Sequence, residues 1–176
     1  MQDTVFAILT DQGGPPPHGS LLDYAELAAA IAVVSALFVA ARQIRVFIDH
    51  AKTERAFNFM ARWNDTDFTH ARRPVITFAR QHPGDGRAQR EQVENDENFR
   101  SQLHLFLNFF EEIGLAVRRN RVDSDLCRDF FSSVIIKYYE EFQPFIIYTK
   151  ERTGKPKLWV HFKYLYDEMQ KEQVDK

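Results

Sequence analysis

The side chains best suited to chemistry lie between Phe99 and Val117. His104, Asn108 and Glu111 are spaced by four and then three, so on an α-helix they form one line opposite the apolar stripe, with Glu112 beside it. An imidazole and a carboxylate on one line could ligate a metal if His161 or another carboxylate joined them from a neighbouring helix. Di-metal helical bundles use Glu-x-x-His pairs, however, and this chain contains none. The plainer reading is architectural: a solvated face, or a hydrogen-bonded network toward another helix. Glu112, nearer the edge of the apolar face, suits an ion pair with an arginine. No metal, cofactor or catalytic residue is expected.

Other candidates are weaker still. Cys127 adjoins Arg128, and a nearby cation can lower a thiol pKa. No Cys/His signature accompanies it, and it falls on an apolar face with Phe131 and Val134, as a small buried hydrophobe would. A single cysteine also excludes an internal disulfide and a Cys-rich zinc site. Ser132-Ser133 lacks the glycines of a nucleophile elbow. Gly84 and Gly86 have neither a preceding strand nor the Lys-Ser/Thr of a phosphate loop. Residues 71–90 carry five arginines against Asp85, but Glu91, Glu94, Asp96 and Glu97 follow at once and neutralise them locally. With 23 basic and 25 acidic residues, the chain is not a generally basic nucleic-acid binder, and no nucleic-acid partner is expected. Anionic lipid headgroups suit the arginines better if the domain lies beneath a membrane.

The elements that must position these groups are helical. Phe99, Leu103, Phe106, Phe110, Ile113 and Val117 make one continuous stripe, widened by Leu105, Phe109 and Ala116. Asn64 to Asp67 reads as a stop and a new cap, and Phe68 to Gln81 as a helix with a kink or boundary at Pro74. His82 to Asn98, with Pro83, Gly84, Gly86 and a charged run, reads as the main loop. Asp123 or Ser124 caps the next helix, along which Cys127, Phe131, Val134 and Tyr138 align, and Pro144 is expected to break or kink it before Phe145 to Arg152. Gly154-Lys155-Pro156 is a turn, and Leu158, Phe162, Leu165 and Met169 give the face of a last helix. No useful period-two alternation occurs, so the fold expected is all-α.

The N-terminal part differs in kind. Residues 1–41 hold four acids and no Lys or Arg, which leaves 23 basic and 21 acidic residues in 42–176. That step coincides with Leu27 to Ala41, fifteen residues without a charge. Fifteen residues rise only about 22 Å as a helix, against a hydrocarbon core of about 30 Å. The run extends to Ile48 if Arg42 and Arg45 snorkel to the headgroups, and Tyr24 suits the opposite interface. A buried core helix and a cleaved signal peptide are the alternatives; the missing positive n-region and the late start count against the signal peptide. The organisation expected is an external Gly/Pro-rich tail (1–20), a transmembrane helix (21–48) that Ser20 could cap, and a cytoplasmic helical domain (49–176). Arg42, Arg45, Lys52 and Arg55 follow the span and no basic residue precedes it, which sets the N-terminus outside. Ala28, Ala32, Ala36 and Ala40 recur every four residues, a small-residue ridge on which a partner helix could pack closely.

Two segments carry a resemblance: Arg55–Asp65 (RAFNFMARWND) with Phe68 and Arg72, and Leu107–Leu115 (LNFFEEIGL). Together they resemble a bacterial family of unknown function, short proteins with one N-terminal membrane helix and a cytoplasmic all-helical domain. The resemblance covers roughly residues 25–170 and implies the inner membrane as location. It brings no substrate, cofactor or catalytic residue, and the Gly/Pro-rich tail is not general to the family. The role expected is that of a non-catalytic accessory or scaffold subunit of a membrane complex, associating with a membrane protein partner or with itself. The alternative is a membrane-tethered enzyme or defence effector using the His104/Glu111/Glu112 region.

Overall fold

Four aspartates set the helix starts. Asp65, Asp85, Asp96 and Asp123 each turn a side-chain oxygen back onto backbone amides two or three residues ahead, at 2.9–3.1 Å. In the computed structural model, which describes the backbone of residues 21–174 and the side chains of 24–171, six helices follow: α1 (Leu21–Asn64), α2 (Thr66–Gln81), α3 (Gly86–Asn95), α4 (Glu97–Arg118), α5 (Ser124–Thr153) and α6 (Val160–Val174). The expected tail, residues 1–20 with the Ser20 cap, lies outside the described residues. No strand occurs among the described residues, and the fold is all-α.

The chain divides after Arg45 into two units. In the first, every described side chain from Tyr24 onward is exposed, including Leu27, Ile31, Val34, Leu37 and Phe38. The helix is long and apolar enough to cross a membrane. The absence of Gly and Pro from Leu21 through Arg73 lets α1 run without a break to Asn64.

The second unit, from Val46 onward, is a bundle organised on α4, which packs against α2, α3 and α6. Leu103, Phe106, Phe110 and Ile113 of the expected stripe are fully buried, together with Phe109. Leu107 is also fully buried, while Leu105, expected on the wide face, is exposed. The covered arc is thus rotated toward Leu107. Trp63 of α1 enters an aromatic cage of Phe68, Phe106, Phe109, Phe110 and Phe131, with centroids 5.5–6.3 Å away. Arg72 stacks over its indole at 3.9 Å. The α4–α5 turn grips α1 as well: Lys52 Nζ donates to Asn120 Oδ1 at 2.9 Å, and Arg55 donates to the Arg121 carbonyl at 2.8 Å.

Three sequence expectations are corrected. The stretch His82 to Asn98 is not mainly loop, since Gly86–Asn95 form α3. The α3 helix is short and polar and buries only Gln89 and Val93, so it offers no apolar stripe to read. Asp96 closes α3 by donating its amide to the Gln92 carbonyl and opens α4 by accepting from Phe99 N, so a single residue separates the two helices. Pro74 does not bound a helix: α2 begins at Thr66 and runs through it. Pro144 does not divide Ser124–Thr153, which is one helix through Phe145 to Arg152.

A proline inside a helix withholds the amide that would serve the carbonyl four residues earlier and crowds that turn. Here α3 covers the same turn. A Cβ on Gly86 would lie 2.5 Å from Pro144 Cβ, Gln89 Nε2 donates to the Glu141 carbonyl at 2.8 Å, and Glu141 accepts from Gly84 N at 2.7 Å. The residues that read as a break and a loop are thus the two halves of one docking contact.

Phe110→Ala should destabilise the bundle by about 3–5 kcal/mol, the usual cost of emptying a buried phenylalanine site. Arg87→Ala, on the exposed first turn of α3, should cost under about 0.5 kcal/mol. Chemical unfolding of the two variants side by side checks the ranking.

Candidate functional site

Helix α4 presents His104, Asn108 and Glu111 to the start of α6, and Glu112 to α1. Trp159, the residue before α6, is a bulky residue at φ 50°, in the left-handed region. It is almost wholly buried and held on three sides. Its Nε1 donates to Asn108 Oδ1 at 2.9 Å, and its ring meets His104 edge-on at 5.3 Å and Phe145 at 6.1 Å.

A helix start exposes amides with no partner inside the helix, and a tryptophan side chain offers no acceptor for them. Glu111 supplies one from across the interface: its Oε2 accepts from Phe162 N at 2.7 Å. A carboxylate at this position also meets the positive end of the α6 dipole. Burial holds the Glu111 carboxyl above the ordinary glutamate range, against the opposing pull of the Phe162 and His161 amides.

The two helices can approach this closely because of Gly114. A Cβ there would lie 2.0 Å from the His161 carbonyl oxygen. Next to this crossing, Phe110 stacks on Phe162 at 4.9 Å, nearly parallel. Glu112 forms an ion pair with Arg62 of α1, an exposed bridge of small energetic weight that fixes register more than stability.

The structure therefore brings His104, Asn108 and Glu111 together along one seam and directs Glu112 elsewhere. His161, the imidazole considered for a metal set, instead places its Nδ1 3.5 Å from Arg118. Among the described residues, no three His, Cys, Asp or Glu side chains are grouped to hold a metal. Burial, followed by the charge of Arg100, lowers the His104 pKa and favours the neutral imidazole. Cys127 is fully buried, and burial, reinforced by Asp123, pushes its thiol up to about 11, the opposite of activation.

Sequence reasoning did not find Trp159 or Arg62 as partners. One available signal was Gly114 itself: a glycine within a helix costs about 1 kcal/mol relative to alanine, so its presence points to a close approach. Ala28, Ala32, Ala36 and Ala40 lie on the exposed first part of α1, as do Tyr24, Arg42 and Arg45.

Fold and seam define a class: a helical domain built around α4, preceded by a long apolar helix. A family model of a domain of unknown function, DUF4760, matches residues 27–169 and so takes in both segments that carry the resemblance. The chain belongs to this family. No curated protein matches the chain, and no solved structure does.

Gly114→Ala should destabilise by about 1–3 kcal/mol or more, since backbone rather than a movable side chain stands in the way. Glu111→Ala should cost about 0.5–2 kcal/mol, as the loss of a cap does. Glu111→Gln isolates the charge. A carboxyl whose pKa is raised by folding costs stability as it ionises, so wild type loses ground as pH climbs from the ordinary glutamate range to the raised value. The stability of the Gln variant relative to wild type should rise over that interval and level off above it. Unfolding curves over a pH series measure the difference.

Proposed function

We propose that this protein is a non-catalytic, single-pass membrane protein whose helical domain serves as an accessory or scaffold subunit of a larger membrane complex. The observation that carries this reading is the first part of α1. Leu27, Ile31, Val33, Val34, Leu37, Phe38 and Val39 expose half or more of their surface on all sides of the helix, and no other described element covers them. Apolar surface on every side of one helix suits lipid, in which such surface carries no cost. The polar line on α4 supports an architectural role, because Asn108 and Glu111 already accept hydrogen bonds from Trp159 and Phe162.

The location proposed is a bacterial inner membrane. The charge step at Ala41/Arg42 favours an outer N-terminus and a cytoplasmic bundle. Ala28, Ala32, Ala36 and Ala40 are the proposed packing ridge for a membrane partner or a second copy, with Tyr24, Arg42 and Arg45 at the interfaces.

The protein should stay in the membrane pellet after carbonate extraction. A cysteine introduced at Ser20 should react with an impermeant thiol reagent in intact cells, while one at Lys176 should not. Reversed labelling would defeat the orientation, and release by carbonate would defeat the span. Ala32→Leu with Ala36→Leu should keep the protein in the membrane while removing its partner in mild-detergent pull-downs. Val33→Leu, about 100° around the helix, is the control.

A further inference from the structure

A cavity of about 290 Å³ opens between α3, α4 and α5, away from the hydrogen bonds of the α4–α6 seam. Its floor is apolar, from Val93 and Phe145, and its walls carry Arg90, Arg100 and Arg152. Among the described residues, the sole carboxylate in the wall is Glu94. It is already engaged, accepting from Arg152 at 2.9 Å and from the Tyr148 hydroxyl at 3.0 Å. Arg100 spends two of its five N–H groups on the carbonyls of Val93 and Glu94, at 2.9 and 3.4 Å.

Arg90 differs. It is half-buried, lies over the Tyr148 ring at 5.0 Å, and has no hydrogen-bond acceptor among the described residues. A guanidinium placed over an aromatic ring, with its N–H donors not taken up by described acceptors, is available for bidentate contact with an oxyanion. Three arginines against one glutamate leave two positive charges in the wall uncompensated. A phosphate monoester carries about −1.5 to −2 at neutral pH, which matches that excess where a lone carboxylate would not. The volume lies at the small end for ligand sites, so the cavity encloses the phosphate and only the adjoining part of the ester group, and the Val93/Phe145 floor suits an apolar one.

We propose that this cavity binds a phosphate monoester, with Arg90 and Arg100 clasping the phosphate and the apolar floor receiving the adjoining part of the ester group. The site lies outside the anchoring and packing surfaces of the proposed scaffold role, and neither reading depends on the other. Phosphate of this kind occurs on soluble esters and on the headgroup of phosphatidic acid.

The test is calorimetric titration of the full chain in detergent micelles with phenyl phosphate, and with phenol as the uncharged control. Saturable binding of phenyl phosphate with a Kd of about 1 mM or tighter is expected, with none for phenol. Arg90→Ala should weaken binding at least about tenfold, the loss of one bidentate charge-assisted contact. Arg87→Ala removes the same charge from the same helix outside the cavity wall and should leave binding unchanged. If Arg90→Ala fails to melt cooperatively, Arg90→Gln carries the comparison. Dioctanoyl phosphatidic acid, titrated in the same micelles, separates the sources: tighter competition than phenyl phosphate identifies a lipid headgroup, and equal, weaker or no competition identifies a soluble ester. Failure of both phosphates to bind the wild-type protein, or equal binding by a folded Arg90 variant, overturns the proposal.

Discussion

The bundle depends on one missing atom. Gly114 has no Cβ, and the space a Cβ would take is occupied by the backbone of His161. Because α6 can settle there, Phe162 reaches Phe110, Leu165 and Met169 are buried, and Glu111 comes within reach of the α6 amides. The left-handed backbone at Trp159 follows from the same approach. A strained residue persists where its surroundings over-determine it, and the indole here is fixed by Asn108, His104 and Phe145. The segment LNFFEEIGL is therefore a compact set of attachment instructions. Asn108, Glu111 and Gly114 receive α6, Phe109 and Glu112 receive α1, and Leu107, Phe110 and Ile113 fill the core.

What could be read from the chain was what repeats locally. The α4 stripe, a cap within Asn64 to Asp67, another at Asp123 or Ser124, and the fifteen uncharged residues of α1 each declare themselves within a few turns. The missed features are non-local. The partners of Asn108 and Glu111 lie 51 residues away, so the line on α4 was visible while its purpose was not. Pro144 and the polar stretch beyond His82 each suggested a break in isolation, whereas in the fold both are helical and meet through Gly86, Gln89 and Glu141.

Charge shows the same difference between local and spatial order. Summed along the chain, the arginines of 71–90 are cancelled by the acids of 91–97. In the fold, Glu94 turns to Arg152, 58 residues on, and Arg90 lies over Tyr148 with no carboxylate partner among the described residues. Neutrality in sequence thus coexists with a local positive excess between α3, α4 and α5, drawn from three helices that no short window contains.

The chain has two tryptophans, and each stands where a helix joins the body of the bundle: Trp63 where α1 enters the phenylalanine cage, Trp159 where α6 meets α4. Their surroundings differ in kind, with an arginine lying on the first indole and a side-chain amide hydrogen-bonded to the second. Indole fluorescence, excited beyond the absorption of the six tyrosines, is thus emitted from these two joints alone, each with its own spectral surroundings. Detachment of either helix would carry an optical signature without the attachment of any dye.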